Sequence, residues 1–424
     1  MLFLIIFSVA FPTARPYSVQ THEELIDIAW KGQIRPILLK RFPGMTDAQI
    51  QKAHAYAYGG SAIQDLGYYP FGNAFFSDLT HYVRSGDFVL SLMHNAKTPD
   101  ELAFAIGGLS HYIGDYFGHA YAVNHSVAIE FPGLEQKYGP IVNYAQSPHA
   151  HVRTEFAFDI NQLSKGRFAP PGYLNHIGLE ISRRLLREAF YQTYGLNLHD
   201  VIGDQATALK IYRRGVRHFL PNIAEAEVIL HNKRFPQDTP SDEFDQLRTE
   251  LLQTAQENGW KQYTKPPGIG THLYAGFIFI LPKFGPFSML AVEGPTVHTE
   301  ELYIHSVSRS IRAMRLVLAN FDSIDTYIAN RDLDTGELVK PGGYPLTDKT
   351  YERLLAMVTQ NPNSPLPAQL KHDLESYYAD PGAPIVTKKN AKEWKAVQSN
   401  LRILTTMSTT GNMVPTSHQV LDPD

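Results

Sequence analysis

The chain contains no cysteine. That absence excludes disulfides, iron–sulfur clusters and thiolate metal sites together, so any metal must rest on histidine and carboxylate. Charge of one sign is lacking as well, since 38 Lys+Arg against 42 Asp+Glu leave a net charge of −4. No global positive field exists to hold a nucleic-acid strand. Long hydrophobic runs are also scarce. The best internal candidate, Leu273 to Leu281, is ended by Pro282 and Lys283, well short of the roughly 20 residues a bilayer span needs. A hydrophobic content of 43% with 19% charged residues excludes a disordered chain. The 424 residues suffice for a full core in two domains, or in one with large insertions.

The first ten residues, MLFLIIFSVA, are apolar and end in Ser8-Val9-Ala10, which a signal peptidase could read. We expect export, with residues 1–16 as the signal segment. The alternative is a short buried N-terminal segment.

What the chain does have is a concentration of metal-ligand residue types before residue 160. His22, Asp65, His81, His111-x-x-x-Asp115, His119 and His151-x-x-x-Glu155 follow in order. A His and a carboxylate four apart on a helix point the same way, because 3.6 residues per turn brings i and i+4 together. Two such pairs with flanking ligands supply enough nitrogen and oxygen for more than one zinc ion. Zinc lowers the pKa of bound water to about 7, and a cluster can clamp both oxygens of a phosphodiester in line. Asp115, with His111 one turn before and His119 one turn after, is placed to bridge two ions.

A lone His-x-x-x-Asp is more often an ordinary hydrogen-bonded pair, so the weight lies on the two pairs in register with His119. His125 is the rival to His119. His54, His94 and His149 read as surface residues or as outer partners.

This third of the chain reads as helical. Thr21 with Glu24, and Thr46 with Gln49, form capping boxes. Thr98-Pro99 and Ser147-Pro148 place a cap before a proline at the first helical position. Gly67 and the Tyr68-Tyr69-Pro70 turn should end the element carrying Asp65. Along the helix from Thr98, Leu102, Ile106, Leu109 and Ile113 form an apolar stripe. His111 and Asp115 lie on another face with Phe104 and Gly108. Gly107, Gly108, Gly114 and Gly118 each cost about 1 kcal/mol of helix propensity relative to Ala. Close approach of neighbouring helices or ions should compensate.

Beyond residue 160 helical periodicity continues over Ile177 to Phe190, Leu209 to Leu230, Tyr303 to Phe321 and Tyr351 to Val358. Pro236 to Glu243 reads as a loop, and the end after Met407 as frayed. GFIFILPKFGPFSML, residues 276–290, reads as a buried apolar hairpin, or else as an interfacial element that reaches lipid. DLDTGE, Asp332 to Glu337, faintly resembles a calcium loop but is too short for one, so it reads as a turn.

The order of ligands resembles that of the zinc-dependent phospholipases C, which share their fold with the fungal single-strand-specific nucleases. That family places a mature N-terminal residue, His, Asp, His, His-x-x-x-Asp, His, then His-x-x-x-Glu or -Asp. Here the order runs from Tyr17 to Glu155, about a third of the chain. HYIGDYFGHA, residues 111–120, resembles the central motif, and SPHAHVRTEFAFD the last one. The resemblance implies a helical fold and three zinc ions. One would rest on Asp65, His81, His111 and Asp115, a second on His119, His151 and Glu155. The third would rest on His22, Asp115 and the backbone amine and carbonyl of Tyr17. Asp65 would also sit beside the nucleophilic water and be catalytic.

We therefore expect an all-α chain. A zinc domain over residues 17–200, phospholipase C- and nuclease-like, should be followed by a mainly helical extension over 201–424. The expected activity is exported, zinc-dependent hydrolysis of phosphodiesters, with two to three zinc ions and a metal-bound hydroxide. Phospholipid or another phosphodiester is the expected substrate, with transient contact to a membrane surface. The alternatives are a nuclease on the same scaffold and a non-catalytic module that keeps metal for stability.

Overall fold

Threonine and proline set the helix starts where the sequence places them. Thr98 accepts a hydrogen bond from the Glu101 amide at 3.2 Å, and Pro99 opens a helix that runs to Gly118. Thr46 and Gln49 close the expected capping box at the head of Asp47–Gly60. Pro148 opens Pro148–Ser164, without a side-chain cap from Ser147. Thr21 does not cap. The helix already runs at Val19, so Thr21 lies inside it and donates instead to Asp159 Oδ1 at 2.8 Å.

The computed structural model describes residues 19–231, 236–265, 268, 271–272, 275, 294–411 and 421. The expected signal segment 1–16, Tyr17 and the apolar stretch 276–290 lie outside these residues. Among the described residues the chain is all-α. Its longer helices are α1 (Val19–Ala29), α2 (Asp47–Gly60), α3 (Ala74–Tyr82), α4 (Ser85–Asn95), α5 (Pro99–Gly118), α6 (Asn124–Glu130) and α7 (Pro148–Ser164). They continue as α8 (Arg183–Tyr194), α9 (Gln205–Arg214), α10 (Leu220–His231), α11 (Asp242–Glu257), α12 (Val297–Ala319), α13 (Pro345–Val358), α14 (Ala368–Tyr377) and α15 (Ala391–Thr406). The strands among the described residues are two short segments, Leu366–Pro367 paired in parallel with Thr409–Thr410. None of the described helices is long and apolar enough to cross a membrane.

One reading along the chain changes, and one stretch gains helices. Ile177 to Phe190 is not one helix: Pro171–Ile177 ends at Gly178, whose φ of +87° stops it, and α8 begins at Arg183. After Asn361 the Pro- and Ser-rich composition conceals α14 and α15, whose apolar residues Leu370, Leu374, Val397 and Leu404 are buried.

Helix α5 is the axis of the fold and is buried almost throughout. It meets α2 at glycines. A Cβ on Gly60 would stand 2.0 Å from the Phe104 carbonyl oxygen, and one on Gly107 2.2 Å from that of Ala57. The propensity lost at Gly107 is offset by backbone contact no larger residue permits. The largest buried core draws on both sides of residue 200, from Val19, Leu66 and Phe104 to Tyr351, Leu374 and Leu404. Helix α12, far along the chain, packs against both α5 and α1.

Candidate metal centre

Four elements converge beside α5. Helix α1 brings His22, a 3-10 turn over Ile63–Tyr68 brings Asp65, and the last turn of α3 brings His81. Helix α5 supplies His111 and Asp115 from one face, as the four-residue spacing requires. The chain then continues through a single π turn, His119–Val123, into α6. Such turns recur at functional sites, and this one delivers His119 to the pocket one turn beyond Asp115. Helix α7 adds His151 and Glu155. All eight side chains are buried.

Asp115 divides its carboxylate. Its Oδ2 lies 3.1 Å from the Nε2 atoms of both His81 and His111, and its Oδ1 lies 3.2 Å from His22 Nε2. On the Oδ2 side, His81 and His111 Nε2 are 3.2 Å apart, and Asp65 Oδ1 stands 3.4 Å and 4.0 Å from them. Zinc bonds of about 2.0–2.2 Å at tetrahedral angles put neighbouring ligand atoms roughly 3.3–3.6 Å apart. The separations among these atoms, from 3.1 to 4.0 Å, bracket that spacing, and Asp65, His81 and His111 group as candidate ligands of one ion. In a second set, Glu155 Oε1 lies 2.9 Å from His119 Nε2 and 3.0 Å from His151 Nε2. His119 Nε2 is 3.9 Å from Asp115 Oδ1. Three protein atoms there leave room for water or substrate, as open zinc sites do. A third group is His22, His111 and Asp115, while Tyr17 lies outside the described residues.

The donor set fits zinc on two further grounds. Asp65 Oδ2 and Glu155 Oε2 are buried without a hydrogen-bond partner, costly for carboxylates unless a cation compensates. The outer nitrogens of three histidines face carbonyls, which can only accept. His111 Nδ1 donates to Ser61 O at 3.0 Å, His81 Nδ1 to Ser77 O at 2.7 Å, and His119 Nδ1 to Leu333 O at 2.9 Å. Each bond keeps the proton on Nδ1 and turns Nε2 inward.

Protons stand in for cations when no metal is bound. Burial lowers the pKa of His81, but Asp115 and Asp65 outweigh it and push it up to about 10. Burial likewise lowers His119, but Asp115 and Glu155 outweigh it and push it up to about 10. Burial and neighbouring His111 hold His22 low. The Asp115 carboxyl stays well below the usual range because His111 and His119 outweigh its burial. Zinc must displace such protons to bind.

Of the remaining histidines, His125 stays apart from these ligand groups, half-buried, with a backbone partner at Ala120. His149 is exposed. His54 is neither on the surface nor beside the ligands. It is buried, stacked on Trp30 at 3.9 Å, with Nε2 3.1 Å from Asp27 Oδ1.

The pocket is also lined by Tyr68, Tyr82, Tyr144 and Asp334. Neither Leu333 nor Asp334 was expected here. They belong to the DLDTGE turn, whose sequence announces a turn and nothing of where it docks. The Glu155 motif marks its own helix only.

Residues 21–202 match the family model described as zinc dependent phospholipase C. The match covers the described ligands from His22 to Glu155 and ends before the turn that carries Asp334. No curated protein and no solved structure matches the chain.

Proposed function

We propose that this chain is an exported, zinc-dependent hydrolase of phosphodiester bonds, acting on phospholipid in the manner of a phospholipase C. The observation that carries the reading is the divided Asp115 carboxylate, with a ligand set on each side of it. A helical module that kept one ion for stability would need neither the second set nor an open side. Bound zinc would supply Lewis acidity toward a phosphoryl oxygen and lower the pKa of coordinated water.

The chain's own groups do the rest. Asp65, His81, His111 and Asp115 would hold one ion, and His119, His151 and Glu155 another. His22 with Asp115, joined by the mature terminus at Tyr17, would hold a third. Asp65 has a carboxylate oxygen, Oδ2, with no hydrogen-bond partner, so it is the group to accept a proton from the attacking water. Tyr68, Tyr82 and Tyr144 give the opening an aromatic wall, which limits water at the reacting phosphate.

Metal analysis of chelator-free protein should find about two to three zinc ions per chain. Phosphatidylcholine vesicles should be hydrolysed faster than single-stranded DNA. One ion or none would overturn the metal reading, and a preference for DNA would turn the assignment to a nuclease.

A further inference from the structure

The two ligand sets take their outer partners from different parts of the chain, and the difference falls on one turn. His81 is oriented by the carbonyl of Ser77 on its own helix, and His111 by that of Ser61. His119 is oriented by Leu333, more than two hundred residues downstream. His151 Nδ1 is buried with no hydrogen-bond partner, and Asp334 Oδ1 stands 3.8 Å from it.

We propose that the Asp332–Glu337 turn is a positioning element for the His119–His151–Glu155 set, with Asp334 its positioning residue. This rests on the zinc reading above.

The turn is tied to each segment that surrounds that set. The Leu333 amide donates to the His81 carbonyl at 3.0 Å, and the Asn124 side chain donates to the Asp334 carbonyl at 2.6 Å. The Asp334 carboxylate accepts from the Tyr144 amide at 3.0 Å and from the Tyr344 hydroxyl. The turn is rigid from within, since Asp332 Oδ1 accepts from the amides of Asp334 and Thr335 at 3.0 and 2.9 Å. At its far end Gly336, with φ of +76°, lies so close that a Cβ would meet Ala120 Cβ at 2.8 Å. At 3.8 Å the Asp334 carboxylate acts on His151 through its charge, which favours a proton on the facing Nδ1 and leaves Nε2 to the metal. A region outside the family match thus completes the metal centre.

Asp334→Asn separates positioning from plain structure. Its amide oxygen still accepts from Tyr144 and Tyr344, while the negative charge behind His151 is gone. Zinc affinities should be read by competition with a chromophoric chelator, and the visible spectrum of the cobalt-substituted protein recorded alongside. The variant should hold one equivalent roughly 10–100-fold more weakly than wild type. The other equivalents should be unchanged, and one component of the cobalt spectrum altered. Equal affinities and an unchanged spectrum in the variant would overturn the inference alone. Uniform weakening of every equivalent would also overturn it, because the role would then be general structure. A wild-type chain that takes up no zinc would overturn the zinc reading, and this inference with it.

Discussion

The ligand sets on the two sides of Asp115 are built by different means. On the Oδ2 side, Asp65, His81, His111 and Asp115 come from neighbouring elements between residues 61 and 118, and both outer carbonyls come from the same stretch. On the other side, His119, His151 and Glu155 depend on a turn from the far half of the chain. A set oriented locally forms wherever its helices pack. A set oriented from a distance forms only when the long-range fold is complete. The same chemistry can therefore fail in two ways, by losing a ligand or by losing what aims it.

The change with the largest expected effect removes the distinction by striking the shared residue. Asp115→Asn keeps one ligating oxygen and puts a nitrogen that cannot ligate on the other side. Because Oδ2 faces His81 and His111 while Oδ1 faces His22, more than one ion should weaken. The loss of hydrolysis should exceed the roughly 100-fold upper range of an outer partner. Zinc content and initial rates check this. A variant that lost a single ion would show that the carboxylate serves one side only.

Two glycines test the His22 ion and the His119–His151–Glu155 set separately. A Cβ on Gly114 would stand 2.8 Å from His22 Nδ1, and one on Gly336 would meet Ala120 at 2.8 Å in a backbone that already has φ of +76°. Gly114→Ala should displace His22 and weaken the ion it shares with Asp115. Gly336→Ala should lower stability by about 1–3 kcal/mol, the cost of the left-handed region for a residue with a Cβ. It should also weaken the His119–His151–Glu155 set while sparing Asp65 and His81. Chemical unfolding with chelator titration measures both. If the two variants shared one pattern of zinc loss, the His22 ion and the His119–His151–Glu155 set would not be independent.

The comparison also explains what could be read in advance. The two helical pairs were legible because helical spacing alone places His111 with Asp115, and His151 with Glu155, on one face. The structure brings the described members of the expected order together beside α5, and the family match spans them. The same helical spacing put His119, four residues after Asp115, ahead of His125, while the π turn at His119–Val123 left no trace in it. Leu333 acts through its backbone carbonyl, so its side chain carries no signal. Asp334 looked like a turn residue because it is one. Thr21 looked like a cap because its partner Asp159, on α7, was out of sight of the local pattern.

The smallest expected effect is a pH dependence confined to the distal side. Burial, reinforced by the charge of Asp334, pushes the Asp332 carboxyl up to about 7. An unfolded aspartate titrates near about 4. A folded pKa above the unfolded one means that the folded state holds the extra proton between those values. The stability this group contributes is therefore full below about pH 4 and lost as pH rises through about 7. The outer partners of His81 and His111 are backbone carbonyls, which do not titrate, so the local side has no counterpart. Other carboxylates, Glu155 and Asp115 among them, are shifted down and change stability in the opposite sense. The comparison must therefore be variant against wild type, both metal-free. Asp332→Asn keeps an oxygen for the Asp334 and Thr335 amides and never ionises. Its stability relative to wild type should rise between about pH 4 and pH 7 and level off above that. Urea unfolding at intervals of pH would measure the difference, and a difference independent of pH would show that Asp332 does not titrate within the fold.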